Sequence, residues 1–312
     1  MALDYAFHRD ESSADGARRI ADEQLERAIA ELGAAASDPD LHIHAVRKRM
    51  KKLRGLLRIL EGELGKKAVR LENATYRDAS RRLAGARRAA AVIDAFDAVV
   101  PGAELEPDLV ERLRGALVSE RDRLLAEMHG ENHVSEVAET LEHARGRLAS
   151  WRLERDGFDL LEAGLRQSYA RGLRAYRDAR KRPSTEALHE WRKHAKYHFY
   201  HVRLLGHVWP AVMQARESML EALTEELGHE HDLDDLRMML IERPAPEELR
   251  DATARLLSAI EARREELRRT AFALGARLYA ESPAAATRRF SAYFAAWQSE
   301  PPSVDDGVMR ED

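Results

Sequence analysis

The sequence predicts an all-α protein built from a duplicated antiparallel helical bundle. Three observations carry that expectation. The composition is rich in Ala, Leu, Arg and Glu, which lose little on entering a helix. No window alternates apolar and polar residues for the length of a strand. One cationic helical pattern also occurs twice, as H-A-V-R-K-R-M-K-K-L-R-G-L-L-R at 44–58 and as H-E-W-R-K-H-A-K-Y-H-F-Y-H-V-R at 189–203.

Pro and Gly set the element boundaries. Gly33, Pro39, Gly65, Pro101 with Gly102, Pro107 and Gly130 separate helices expected near 12–36, 40–62, 67–99, 108–129 and 132–154. After Gly157 a second series is expected near 158–180, 184–208, 211–242, 246–281 and 284–299, divided by Pro183, Pro210, Pro244 with Pro246, and Pro283. Each series opens with an amphipathic helix, continues with the basic helix, and follows with a long helix containing a turn-like Gly. One domain over 10–299 is expected, made of repeats at about 10–154 and 158–299. The tail from Glu300 is expected to be disordered.

The composition excludes several classes. The 312-residue chain contains no cysteine, so disulfides, thiolate metal sites and cysteine nucleophiles are absent, and a reducing cytoplasm is the expected location. No stretch approaches the apolar length of a membrane-spanning helix, and the N-terminus does not read as a secretory signal. Neither a Walker loop nor a G-x-S-x-G elbow is present. The net charge is −4, but the charges are segregated: seven Lys or Arg and no acid lie between His42 and Leu60. Between Gln214 and Glu248, acids outnumber bases eleven to three. Local fields rather than the total charge steer a ligand.

Offset by 145 residues, His44 matches His189, Arg47 matches Arg192, Lys48 matches Lys193, Lys51 matches Lys196 and Arg58 matches Arg203. At about 100° per residue, Arg47, Lys51, Arg54 and Arg58 fall within roughly 60° of one another. Lys48 and Lys52 flank them, and Val46, Met50, Leu53 and Leu57 lie opposite. In the second copy His189, Arg192, Lys193, Lys196, Tyr200 and Arg203 share one face, opposite Trp191, Ala195 and Val202. Solvated helix faces normally mix signs, and like charges at i, i+4 repel by a few tenths of a kcal/mol. A stripe carrying that cost twice points to a polyanionic ligand. Gly55, matched to Tyr200, is expected to let backbone or ligand approach closely. The stripe has one aromatic and no Asn or Gln, so a phosphate polymer suits it better than a nucleic acid read by its bases.

The runs H-x-x-R-x-x-x-K-K-L-R at 44–54, H-x-W-R-K-x-x-K at 189–196 and L-G-H-E-H-D-L at 227–233 resemble the CHAD domain, the conserved histidine α-helical domain. The resemblance implies two four-helix bundles related by an internal pseudo-twofold duplication. It also implies non-catalytic binding of inorganic polyphosphate along a basic central groove, and association with polyphosphate granules. By position it assigns His44, Arg47, Lys48, Lys51, Lys52, Arg54, Arg58, His189, Arg192, Lys193, Lys196, Tyr200 and Arg203 to the ligand. Arg87 and His231 occupy matched places in the third helices, and Arg166 in the second series is a further candidate. The family usually carries Arg-Asp where this chain has Arg87-Arg88, which brings Arg88 into the same set.

Three other readings compete. Glu186-Ala-Leu-His189 and Glu226-Leu-Gly-His229 are both E-x-x-H, as in di-metal carboxylate bundles, but Glu186 follows Pro183-Ser184-Thr185 and so suits a helix first turn. His194, His198 and His201 share a helical face that could bind metal or simply pack. The basic amphipathic helix could lie on a membrane surface, but only if its apolar side were exposed rather than core. The expectation is therefore a protein with no catalytic residues, metal or cofactor, and no membrane insertion.

Overall fold

A computed structural model describes residues 5–300 apart from 36, 84, 130–132 and 243–246. The expected tail beyond Glu300 lies outside the described residues. Among those described there are eleven α-helices and no strand. They are α1 (Ser13–Ala34), α2 (Pro39–Ile59), α3 (Glu61–Arg82), α4 (Gly85–Val99), α5 (Pro107–His129), α6 (His133–Gly146), α7 (Gly157–Lys181), α8 (Thr185–Leu204), α9 (Pro210–Glu242), α10 (Arg250–Leu278) and α11 (Pro283–Ser299).

Local chemistry explains several starts. Ser12, Asp38, Ser184 and Ser282 each accept a hydrogen bond from the backbone N–H three residues on, and Pro39 and Pro283 stand at the first helical position. The expected helix 67–99 is two helices, with α3 ending at Arg82 and α4 beginning at Gly85. Its counterpart α9 runs unbroken for 33 residues. The break lets the chain leave one layer and join another.

Helices α1, α2, α3 and α6 pack round one another, and α7 packs against α8 and α11. α2 lies against both α7 and α8. One apolar cluster spans both halves, from Ile20, Leu25, Leu53 and Leu57 to Leu161, Trp191, Val202 and Leu220. A second cluster joins Val92, Phe96 and Val99 of α4 to Leu233 and Leu236 of α9 and to Leu256 and Ile260 of α10. α5 closes it with Val110, Leu113 and Leu117. The helix contacts thus do not sort into one bundle per sequence half. α4, from the first series, packs on α9 and α10 of the second, and α5 packs on α4. Periodicity could not show this, because it reports which face is apolar and not what covers it.

Two buried ionic groups fasten the frame. Glu72 of α3, 3% exposed, accepts two hydrogen bonds from Arg147 at 2.7 and 2.9 Å. Arg264 of α10 reaches both Glu230 (2.8 Å) and Asp234 (2.9 Å) of α9, all three being buried. No helix is long and apolar enough to cross a membrane among the described residues. The apolar side of α2 (Val46, Met50, Leu53, Leu57) is core, so it is not available to insert into a lipid surface.

Candidate functional site: the junction of the two basic helices

The two cationic helices meet. At their contact Gly55 of α2 lies against Tyr200 of α8: a Cβ on Gly55 would stand 2.7 Å from the Cβ of Tyr200. His201 bonds the Gly55 carbonyl at 3.0 Å, and the Tyr5 hydroxyl donates to the Lys52 carbonyl at 2.7 Å. Gly55 thus admits the close approach of a neighbouring helix, not of ligand.

Around this junction the positive charges act on one another. Burial, with the charges of Arg203, Arg49, Lys48 and Arg27, pushes the Lys52 ammonium down to about 8. Burial, with Arg192 and Lys48, does the same to Lys196, again to about 8, against the opposing pull of Glu221 and Glu225. Lys52 of α2 therefore feels Arg203 of α8, and Lys196 of α8 feels Lys48 of α2. The stripes face a shared region. Lys52 sits over the Tyr5 ring (5.0 Å), and Lys196 over the Phe199 ring (4.7 Å), which fixes each aliphatic stem on an apolar floor.

Two arginines are anchored alike. Arg47 of α2 donates to the Ser80 carbonyl of α3 at 2.5 Å, and Arg192 of α8 donates to the Thr224 carbonyl of α9 at 3.2 Å. Gly228 of the L-G-H-E-H-D-L run explains itself here: a Cβ at that position would stand 2.9 Å from the Arg192 guanidinium. Burial lowers the Arg192 pKa, and Asp232 opposes it.

Other expected residues are placed differently. Tyr200 is buried, its ring packed on Gly55, Tyr5 and Phe199, so it is a spacer between helices and not a surface platform. Burial raises its hydroxyl to about 12 against the charges of Arg203 and Arg192. Arg54 bridges Asn73 of α3 and Tyr197 of α8, with both hydrogen bonds at 3.0 Å. Arg58 pairs with Glu61 at 3.1 Å and caps the Tyr197 ring. Arg203 pairs with Glu217 (3.2 Å) and Lys193 with Glu190 (2.5 Å). The cationic stripes are thus partly countered in space by carboxylates from their own and neighbouring turns and helices. Arg166 lies about 200° round α7 from Gly164, whose added Cβ would run into the Ile59 carbonyl of α2, so it is off the basic face. Arg87 and Arg88 fall on α4 outside the residues whose side chains are described. His44, Lys48 and Lys51 are exposed on α2.

The histidines divide by environment. His189 and His231 meet edge to face at 5.2 Å, and His231 lies 4.0 Å from Asp235. Burial and the charges of His231, Arg192 and Lys193 hold the His189 imidazole below its ordinary 6.5. Acid therefore charges it later than its sequence setting suggests. His194 pairs with Glu190, His198 accepts hydrogen bonds from Arg216, and His201 is tied to Gly55. These three diverge and pack. Glu186 is exposed in a first turn, where backbone and Ser184 hydrogen bonds lower its pKa. Among the described residues no three His, Asp or Glu side chains form a metal-sized group.

Sequence reasoning missed Arg27 of α1, whose charge reaches Lys52. Nothing in α1 marks that residue, because only the packing of α1 on α2 brings it there. Arg49 of α2 binds Glu31 of α1 at 3.1 Å and contributes to the field at Lys52 as well.

An all-helical chain in which two cation-striped helices meet at a glycine has a defined place among known families. The CHAD domain family model matches residues 19–241, most of the chain, and the chain belongs to that family. No curated protein matches it.

Proposed function

We propose that this chain binds inorganic polyphosphate, without catalysis, across the α2–α8 junction, and that this binding associates it with polyphosphate granules. Family membership is compatible with that ligand. The observation that carries the reading is the meeting of the two basic helices at Gly55 and Tyr200, which brings Arg203 of α8 within reach of Lys52 of α2 and Lys48 of α2 within reach of Lys196 of α8. Burial is the main cause of the lowered pKa of both lysines and the neighbouring cations add to it, so a polyanion supplies negative charge that suits the junction. Arg47 and Arg192, fixed by carbonyls, offer guanidinium edges suited to phosphate oxygens.

The site also supports an internal pseudo-twofold duplication. Arg47 with Ser80 and Arg192 with Thr224 are matched pairs, offset by 145 and 144 residues. Arg58 lies over Tyr197, and Arg203 acts on Lys52 at the equivalent places. Gly55 and Tyr200 are each other's counterparts and touch, as residues beside a twofold axis must.

The test is titration with long-chain polyphosphate at several salt concentrations, against DNA of equal charge. Affinity should fall by roughly one log unit per log unit of salt for each phosphate contact, by analogy with nucleic acids. Polyphosphate should win the competition. Equal competition by DNA would favour a general nucleic-acid binder instead.

A further inference from the structure

The two flanks of the basic junction carry opposite charge. α3 lies beside α2, joined to it by the Arg54–Asn73 and Arg47–Ser80 hydrogen bonds. With Asn73 set at zero, Lys66, Arg70, Arg77 and Arg81 fall between roughly 20° and 80° round α3. The buried Val69, Glu72, Tyr76, Ala79 and Leu83 fall apart from them, between roughly 240° and 320°. The four cations are exposed and form a row that continues the α2 stripe outward. Asp78, at its margin, pairs with Arg77 at 2.9 Å and with Arg81 at 3.8 Å. Such exposed pairs contribute little and yield readily to a polyanion.

The matched helix α9 is the reverse. The register fixed by Ser80 and Thr224 puts Glu217, Glu221 and Glu225 where α3 has Asn73, Arg77 and Arg81. Glu217 binds Arg203, and Glu221 and Glu225 act on Lys196. One side of the junction thus extends as a cationic ledge, and the other ends in carboxylates.

We infer that α3 is a further polyphosphate-binding surface, and that a phosphate polymer seated at the α2–α8 junction runs out over Arg70, Arg77 and Arg81 while the α9 carboxylates exclude it from the opposite side. This rests on the polyphosphate reading and adds a direction to it. Two otherwise similar halves would bind their ligand asymmetrically.

The experiment compares the full chain with R70Q/R77Q/R81Q, with E217Q/E221Q/E225Q, and with R255Q/R263Q/R269Q on exposed positions of α10 as a charge-matched control. Helicity and melting are checked for each. The α3 variant should lose about tenfold or more in affinity for long-chain polyphosphate, and its salt slope should shrink by roughly one per contact removed. The α9 variant should bind more tightly, and the control should match the parent. If the α3 variant binds as the parent does, or the control loses as much, the ledge is overturned while polyphosphate binding stands. An α9 variant no tighter than the parent removes the excluded side. If the unaltered chain fails to bind polyphosphate, the functional reading itself falls.

Discussion

Gly55 and Tyr200 hold matched positions in two helices 145 residues apart, and they are in contact. The absence of a side chain on one and the bulk of the other are complementary, so the contact sets how closely the two cationic helices approach. Replacing Gly55 with Leu drives a side chain into Tyr200. The expected cost is about 1–3 kcal/mol or more, as for overpacked cores, read from denaturant unfolding. Polyphosphate affinity should drop as well, because the two stripes are pushed apart. Unchanged stability would mean that the helices do not meet at this glycine.

The buried Arg264 should be hard to remove. Its loss leaves Glu230 and Asp234 without their shared partner inside the α9–α10 contact. R264A is expected to cost about 3–5 kcal/mol, the range for breaking a buried ionic group. Burial already raises the Glu230 pKa against the pull of Arg264. Without that pull it rises further, so the variant should recover stability as pH falls through the new value. Unfolding followed from pH 7 towards pH 5 tests the sign.

Binding should weaken with alkali. Lys52 and Lys196 sit at about 8 in the folded chain, below the usual 10.5. As pH rises from 7 to 9 they lose charge, so polyphosphate affinity should fall, and binding near pH 8 should take up protons. The stability contribution has the opposite sign. A base with a depressed folded pKa disfavours the fold while it is charged, so this penalty lifts as pH passes upward through about 8. K52M/K196M should flatten both profiles. Calorimetry in buffers of different ionisation enthalpy measures the proton uptake.

His189 is expected to titrate below 6.5, since burial and its cationic neighbours disfavour the imidazolium. Bound polyphosphate should raise that value. Imidazole resonances followed against pH, with and without polyphosphate, decide the matter. A free-state midpoint at or above 6.5 would remove the crowding assigned to this site.

Much of this was legible in the sequence, but unevenly. The repeated cations, their sharing of a helix face and the all-helical fold follow from period and spacing alone. Tyr200 reads in sequence as part of the stripe and is buried in the structure, because the inner edge of a polar stripe and the centre of a helix crossing have the same angular position, and periodicity cannot separate them. Arg58 and Arg203 looked uncountered because Glu61 and Glu217 lie beyond the repeated motif and only folding brings them near. The row Lys66, Arg70, Arg77 and Arg81 is present in the sequence, but only the packing of α3 on α2 sets it beside the basic stripe. The break between Arg82 and Gly85 showed only as a turn-like glycine, because where α4 goes depends on α9 and α10.

The apolar patch that ties α4 and α5 to α9 and α10 acts as a clasp between the early and late parts of the chain. Neither part can hinge away from the other without tearing that patch open. On the polyphosphate reading, the two basic helices are therefore held in place before any ligand arrives. Little ordering entropy is spent on capture, so tightness becomes a matter of charge count and chain length rather than of closure. Either part produced by itself would expose the torn apolar surface and would aggregate rather than bind at half strength.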